Sequence, residues 1–304
     1  MTHYAPALRP GATIGIISPC SPITSDVIDP ALEVLAARGY KTRFSSHAWD
    51  RDGHRAGSGA DRASDLMAFY ADPTIDIIWC ARGGSSACLM REHIDWEALA
   101  ALPPKLVIGF SDVSSLHASI NKLAGVPSIH GPLLFHVGRV IGDEELDWLM
   151  RLLEDPQMPR IVPGKASTTL IGGKAVGRFS GGCLSLIRNT IGTPYQVDAR
   201  DSIFLIEDID EKPWAVERDL WHLREAGILQ TAAGIVVGTI TNCDDEKTVP
   251  LDRIWSELLA PLNVPTVTGF PFGHVSPNWA LPLGCRAELN ADEGTLTLLE
   301  APVK

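Results

Sequence analysis

The six cysteines, Cys20, Cys80, Cys88, Cys183, Cys243 and Cys285, contain no C-x-x-C pair, and the gaps between them are wide and uneven. That pattern fits buried free thiols in a reducing compartment and argues against a disulfide framework or a zinc site. There is no G-x-G-x-x-G and no G-x-x-x-x-G-K-[ST], so neither the dinucleotide fingerprint nor the Walker loop is present. No apolar run approaches the roughly 20 residues that span a bilayer. The N-terminal Met-Thr-His-Tyr-Ala-Pro lacks the basic and apolar regions of an export signal. Positive charge is in short supply: 26 Lys and Arg stand against 37 Asp and Glu, a formal net charge of −11. An acidic surface repels phosphate backbones, so neither nucleic acid nor an anionic membrane is an expected partner. What remains is the expectation of a soluble, cytoplasmic protein.

Within those bounds the chain is ordinary globular material, 45% apolar and 21% charged. At about 150 residues per domain, 304 residues suggest two domains. In the first half, apolar runs alternate with helix-like stretches. Thr13–Ser18, Lys41–Ser45, Ile75–Cys80 and Leu106–Phe110 read as strands. Helices are expected over Ile28–Arg38, Ala60–Tyr70, the stretch from Ser111 to about Leu123, and Gly142–Leu153. Strand, crossover helix and strand in repetition predict a parallel sheet covered on both faces. The Pro-, Gly- and Ser/Thr-containing stretch from Asp155 to Thr169 reads as the boundary, dividing an α/β domain over 1–160 from a mixed, β-rich domain over 161–304. Strands are expected there over Lys174–Phe179, Ser202–Ile209, Ala233–Ile240 and Thr266–Phe270, with helices over Pro213–Ala226 and Leu251–Leu259. A terminal hairpin turns at Asp292-Glu293-Gly294. Gly172-Gly173 and Gly181-Gly182 read as turns and a bulge.

Ligands of open parallel sheets bind beyond the carboxyl ends of the strands, which directs attention to the loops after Ser18, Cys80 and Phe110 and to His130-Gly131-Pro132. In Gly109-Phe110-Ser111-Asp112-Val113 an apolar strand ends, a serine follows and a helix begins at once. That is the setting of a nucleophile elbow, with the Asp112 N–H aimed at a developing oxyanion. An N-cap role for Ser111 fits the same residues. A serine nucleophile needs a base and the base an orienting acceptor. His130 and His274 each follow a strand among turn residues, whereas His93 and His222 sit in charged helical contexts and His117 should point away from the turn. Glu207 and Asp208 close a strongly apolar strand, where a buried carboxylate needs a partner. Salt bridges to Lys212 or Arg218 would serve equally. Arg82, in the loop after Cys80, offers a guanidinium fork for a terminal carboxylate, or braces its own loop. Cys80 and Cys88 occupy no elbow.

Taken together, Ala81-Arg82-Gly83-Gly84, Gly109-Phe110-Ser111-Asp112, His130-Gly131-Pro132, Gly177–Leu184, Ile206-Glu207-Asp208 and Gly273-His274 through Gly284 resemble the LD-carboxypeptidase family of serine peptidases. That family comprises the muramoyltetrapeptide carboxypeptidases and their microcin-immunity relatives. The resemblance implies a flavodoxin-like parallel-sheet N-terminal domain, a smaller mixed, β-rich C-terminal domain, a site between them and a homodimer. It implies Ser111 as nucleophile, His274 as general base and Glu207 as the acceptor that orients it, with no metal or organic cofactor. Backbone N–H groups of Gly84 and Asp112 would form the oxyanion hole, and Arg82 and Ser85 would contact substrate. The implied reaction releases D-alanine from a cytoplasmic murein tetrapeptide by cutting the amide after an L-centre. Hydrolysis of peptidyl- or aminoacyl-adenylate amides, as in microcin immunity, and non-catalytic binding of a small ligand are the alternatives. Two departures bear on substrate: Ser85-Ser86 replaces the usual Tyr-Gly after Arg-Gly-Gly, and Cys183 replaces Asn after Gly181-Gly182.

Overall fold

The computed structural model describes residues 2–157, 160–243, 245 and 247–304. Five strands of the first half, β1 (Thr13–Ile17), β2 (Lys41–Phe44), β3 (Ile77–Cys80), β4 (Val107–Gly109) and β5 (Ser128–His130), lie parallel in the order β2-β1-β3-β4-β5. This is the flavodoxin-like order that the family resemblance implies. Their alternation sorts side chains onto two faces. Ile14, Ile16, Ile77, Trp79 and Ile108 enter one core, and Ile17, Ile78 and Val107 enter another. The connecting helices are α1 (Ser25–Ala37), α2 (Gly59–Ala71), α3 (Trp96–Ala101), α4 (Ser114–Ser119) and, after β5, α5 (Asp143–Glu154). Helix α1 ends at Gly39, which takes φ +84° as a left-handed cap.

The second half builds a seven-stranded mixed sheet from β6 (Thr168–Ile171), β7 (Lys174–Cys183), β8 (Ser202–Ile209), β9 (Gly234–Thr241) and β10 (Thr266–Thr268), then β12 (Arg286–Asn290) and β13 (Thr295–Leu298). Strands β7 to β10 are parallel, β6 and β12 pair antiparallel with the two ends of that set, and β13 pairs antiparallel with β12. Helices α6 (Leu184–Arg188), α7 (Pro213–Glu225) and α8 (Leu251–Leu258) cover one face, where Phe204, Ile206, Leu220 and Trp255 pack. Between these two sheets of strands, β11 (Leu281–Leu283) crosses over and pairs antiparallel with β5 of the first sheet. The core that receives Ile14 and Trp79 also receives Phe179, Leu205, Phe270 and Leu289, so both halves contribute to it.

The end of β7 departs from the sequence expectation. Gly181-Gly182 forms neither turn nor bulge but lies inside β7, paired in register with Leu205 and Ile206. Both have φ above +110°, and a Cβ on Gly181 would lie 2.1 Å from the Leu205 carbonyl oxygen. Two glycines thus extend the strand where side chains would block it, and β7 reaches the first half, where a Cβ on Gly182 would lie 2.7 Å from Ser114 Oγ.

Candidate active site

Strand β4 ends at Gly109, Phe110 remains extended, and Ser111 turns to φ +64° before the chain enters a helical segment. A serine in that region costs on the order of 1–3 kcal/mol and persists only where its surroundings hold it. They do so here. Asp112 Oδ2 accepts the Ala87 N–H at 2.7 Å, and His117 turns back so that its Nε2 meets the Gly109 carbonyl at 2.8 Å. The sequence reading had His117 facing away. Phe110, not Ser111, is in the cap position, and Ser111 is the first helical residue and partly exposed. Gly83, from the loop after β3, packs so closely that a Cβ there would lie 3.4 Å from Ser111 Oγ.

Strand β8 explains why Glu207 and Asp208 diverge. Ile203 and Leu205 face the shared core and Phe204 and Ile206 face α7, so Glu207 points toward the first half and Asp208 away from it. Asp208 Oδ2 accepts the Ser185 N–H at 2.8 Å. Glu207, fully buried, meets His274 Nδ1 through Oε2 at 2.7 Å. Lys212 and Arg218 pair with Asp245 and Asp219 instead. The loop carrying His274 is pinned from several directions. Thr241 Oγ1 donates to the His274 carbonyl at 2.7 Å, the Gly273 N–H to Asn278 Oδ1 at 2.8 Å, and the Asn278 N–H to Glu145 Oε1 of α5 at 2.7 Å. Gly273, at φ +94°, sits where a Cβ would lie 2.4 Å from Glu207 Oε2.

The His274 ring packs on Phe110 at a centroid distance of 4.7 Å, which sets the imidazole beside the residue that precedes Ser111. Burial pulls the His274 pKa down, but the bond to Glu207 and the charges of Glu207, Asp208 and Asp210 outweigh it and leave it raised above 6.5. Burial pushes the Glu207 carboxyl up, against the opposing pull of His274. The carboxylate fixes the imidazole proton on Nδ1, and Nε2 is left as the acceptor. Beside this pair opens a cleft of about 300 Å³ lined by Phe110, His136, Val140, Ile141, Ile209 and His274. A roomier cavity of about 470 Å³, lined by Ala118, Lys122, Arg178 and Arg200, touches none of Ser111, Glu207 and His274.

Arg82 is exposed, with its guanidinium over the Phe135 ring at 5.9 Å, and Ser85 is exposed beside Ser86. Gly84 takes φ +123°, and a Cβ there would lie 2.0 Å from Ser21 Oγ. Ser86 adopts φ +84°, the conformation suited to the glycine of the family pattern. Buried Arg62 holds it there, donating to the Ser86 carbonyl at 3.0 Å and to the Pro19 carbonyl. At the second departure the Cys183 thiol lies 3.3 Å from Asp208 Oδ1. Burial pushes the Cys80 thiol well up, which makes it a poor nucleophile. Sequence reading missed Arg62, Ser114 and Glu145. Only Glu145 carried a signal, a Glu three residues after the helix-preceding Gly142, whose N–H it accepts at 3.0 Å. Among the described residues one group has donor atoms close enough for a metal ion, His47, Asp50 and Asp61, and it includes none of Ser111, Glu207 and His274.

Residues 14–131 match the LD-carboxypeptidase N-terminal domain and residues 176–289 match the LD-carboxypeptidase C-terminal domain. A putative carboxypeptidase of Streptomyces coelicolor is 34% identical over 296 residues, covering 96% of this chain and 94% of the relative. A probable murein peptide carboxypeptidase of Bacillus subtilis is 33% identical over 310 residues, covering 99% and 96%. In fold, the chain is similar to the solved structure of MccF in complex with glutamyl sulfamoyl guanosine, with a TM-score of 0.89 at 24% identity and 99% of each chain covered. The two matched domains and the carboxypeptidase relatives mark a peptidase-type hydrolase. The chain belongs to the LD-carboxypeptidase family. No helix among the described residues is long and apolar enough to cross a membrane.

Proposed function

We propose that the protein is a serine carboxypeptidase that cleaves the amide between an L-centre and a C-terminal D-amino acid, releasing D-alanine from murein tetrapeptides. The observation that carries this reading is the 2.7 Å bond between His274 Nδ1 and Glu207, with the ring packed against the residue preceding Ser111. Ser111 Oγ attacks the scissile carbonyl while His274 Nε2 takes its proton. The N–H groups of Asp112 and Gly84 receive the oxyanion, each contributing about 2.7–4 kcal/mol by comparison with other acyl-transfer sites. Collapse breaks the C–N bond, His274 returns the proton to the leaving amine, and water, deprotonated by His274, clears the acyl-enzyme. Arg82 pairs with the substrate's free carboxylate, and Ser85 contacts the adjoining residue. On this reading the enzyme acts in the cytoplasm as a homodimer.

Incubation with a murein tetrapeptide, followed by mass spectrometry, tests it. Loss of one alanine supports the reading, and an intact peptide at high enzyme concentration overturns it. The Ser85-Ser86 loop, where two hydroxyls replace a tyrosine and a glycine, keeps open one second reading, hydrolysis of a peptidyl- or aminoacyl-adenylate amide. Parallel assay of a peptidyl-adenylate amide separates the two.

A further inference from the structure

Glu207 uses one oxygen on His274. Its other oxygen, Oε1, is buried and has no hydrogen-bond partner among the described residues. The atom facing it is Nε2 of His130, 3.9 Å away, and both groups are fully buried. Neither nitrogen of His130 has a partner among the described residues either. Leaving a buried polar group unpaired is destabilising, and more so for a charged one. Two such groups opposite each other in the same site are therefore complementary rather than independent.

The surroundings fix His130 in this orientation. It ends β5, between β4 and β11, with Phe110 and Phe272 packed edge-on at 5.8 and 5.6 Å. On the Nδ1 side, a Cβ on Gly182 would lie 3.5 Å away, so the glycine of β7 leaves room for the ring. Among the described residues, the other titratable side chains around the pair offer no donor to Oε1. Asp208 and Asp210 are themselves acceptors, His117 is committed to the Gly109 carbonyl, the Cys183 thiol lies against Asp208, and His136 packs on Phe110 and Phe135. Burial, followed by the nearby His117 and His274, pushes the His130 pKa well below 6.5. At working pH it is a neutral imidazole with a single N–H to place.

We propose that His130 is a positioning residue that places its N–H on Nε2 and donates it to Glu207 Oε1, so that the carboxylate sits between one imidazole it orients and another that keeps it ionised. This rests on the reading of Ser111, Glu207 and His274 as one proton-transfer chain. At 3.9 Å the contact is longer than a hydrogen bond, yet the N–H dipole acts on the buried carboxylate at that separation, before substrate tightens the contact as catalytic contacts commonly do. The pH consequence has a definite sign. Without the His130 N–H the carboxylate is more basic, the Glu207–His274 pair takes up its proton at higher pH, and the acid limb of the rate profile moves upward.

Two substitutions separate this role from packing. His130→Phe keeps the ring and its edge contacts but removes the donor. His130→Gln loses the ring but carries an N–H with the reach of Nε2. The readouts are kcat and KM on a murein tetrapeptide across pH, and the titration of His274 followed by NMR in isotope-labelled protein, with thermal melts confirming the fold. We expect His130→Phe to lower kcat about tenfold or more at unchanged KM, a loss typical of groups that orient a working histidine. It should also raise the pH at which His274 titrates, and His130→Gln should restore both. A Phe variant that titrates and turns over as the wild type does, or a Gln variant worse than Phe, would overturn the proposal. If the wild type leaves the tetrapeptide intact, the catalytic reading fails on its own, while the His274 titration still reports whether His130 acts on the pair.

Discussion

At the scale of single residues, the partner of a buried carboxylate decides what it can do. Glu207 sits at the end of an apolar strand where Lys212 and Arg218 were equally available by spacing, and it meets His274 instead. Spacing could not choose between them, because the answer depends on the parity of β8 and on a loop 67 residues away closing over it. Replacing Glu207 by Gln keeps the shape but removes the charge that stabilises the imidazolium. We predict a fall in kcat of about 10⁴-fold, as for an Asp→Asn change in a serine triad, with an unchanged circular dichroism spectrum. The raised His274 pKa makes a second prediction. Activity needs the neutral imidazole, so the wild-type acid limb should have its midpoint above 6.5. The stability linkage has the opposite sense. Because the folded state favours the imidazolium, this contribution is full below the unfolded value of 6.5 and is lost as pH rises through the folded value. A pH series of thermal melts on wild type and His274→Phe isolates it.

At the scale of elements, strands and helices were legible where periodicity was strong, as in β8, which spans Ser202–Ile209 in both the sequence reading and the structure. Strand β7 was misjudged at its end, since Gly181 and Gly182 are read locally as turn residues. Their reason for being glycine lies instead in the Leu205 backbone on one side and Ser114 on the other, neither of which is a sequence neighbour. Gly273 follows the same logic in the loop that carries His274. Gly273→Ala forces a side chain to φ +94° and into the Glu207 carboxylate. The backbone strain alone costs about 1–3 kcal/mol, and the displaced carboxylate should lower kcat as well. Urea unfolding and steady-state kinetics on the same preparation measure both effects.

At the scale of the whole molecule, a covered parallel sheet was legible in the alternation of strands and helices, because right-handed crossovers admit few topologies, whereas the flavodoxin-like order was implied by the family resemblance. What the chain pattern did not reveal is how the halves join. Strand β11 completes the edge of the first sheet, Trp148 Nε1 donates to the Ala280 carbonyl at 2.8 Å, and one apolar core draws on both halves. We therefore predict a single unfolding transition, with far-ultraviolet circular dichroism and tryptophan fluorescence coinciding in urea. Two separated transitions would show that the halves unfold independently.

The proposed chemistry depends on the same convergence of halves, with Ser111 drawn from one and His274 and Glu207 from the other. Labelling with a fluorophosphonate and mapping the modified peptide by mass spectrometry probes that arrangement directly. The account predicts modification at Ser111 in the wild type and its loss in His274→Ala. Failure of Ser111 to react in the folded wild-type protein, or undiminished reaction in the His274→Ala variant, would contradict it.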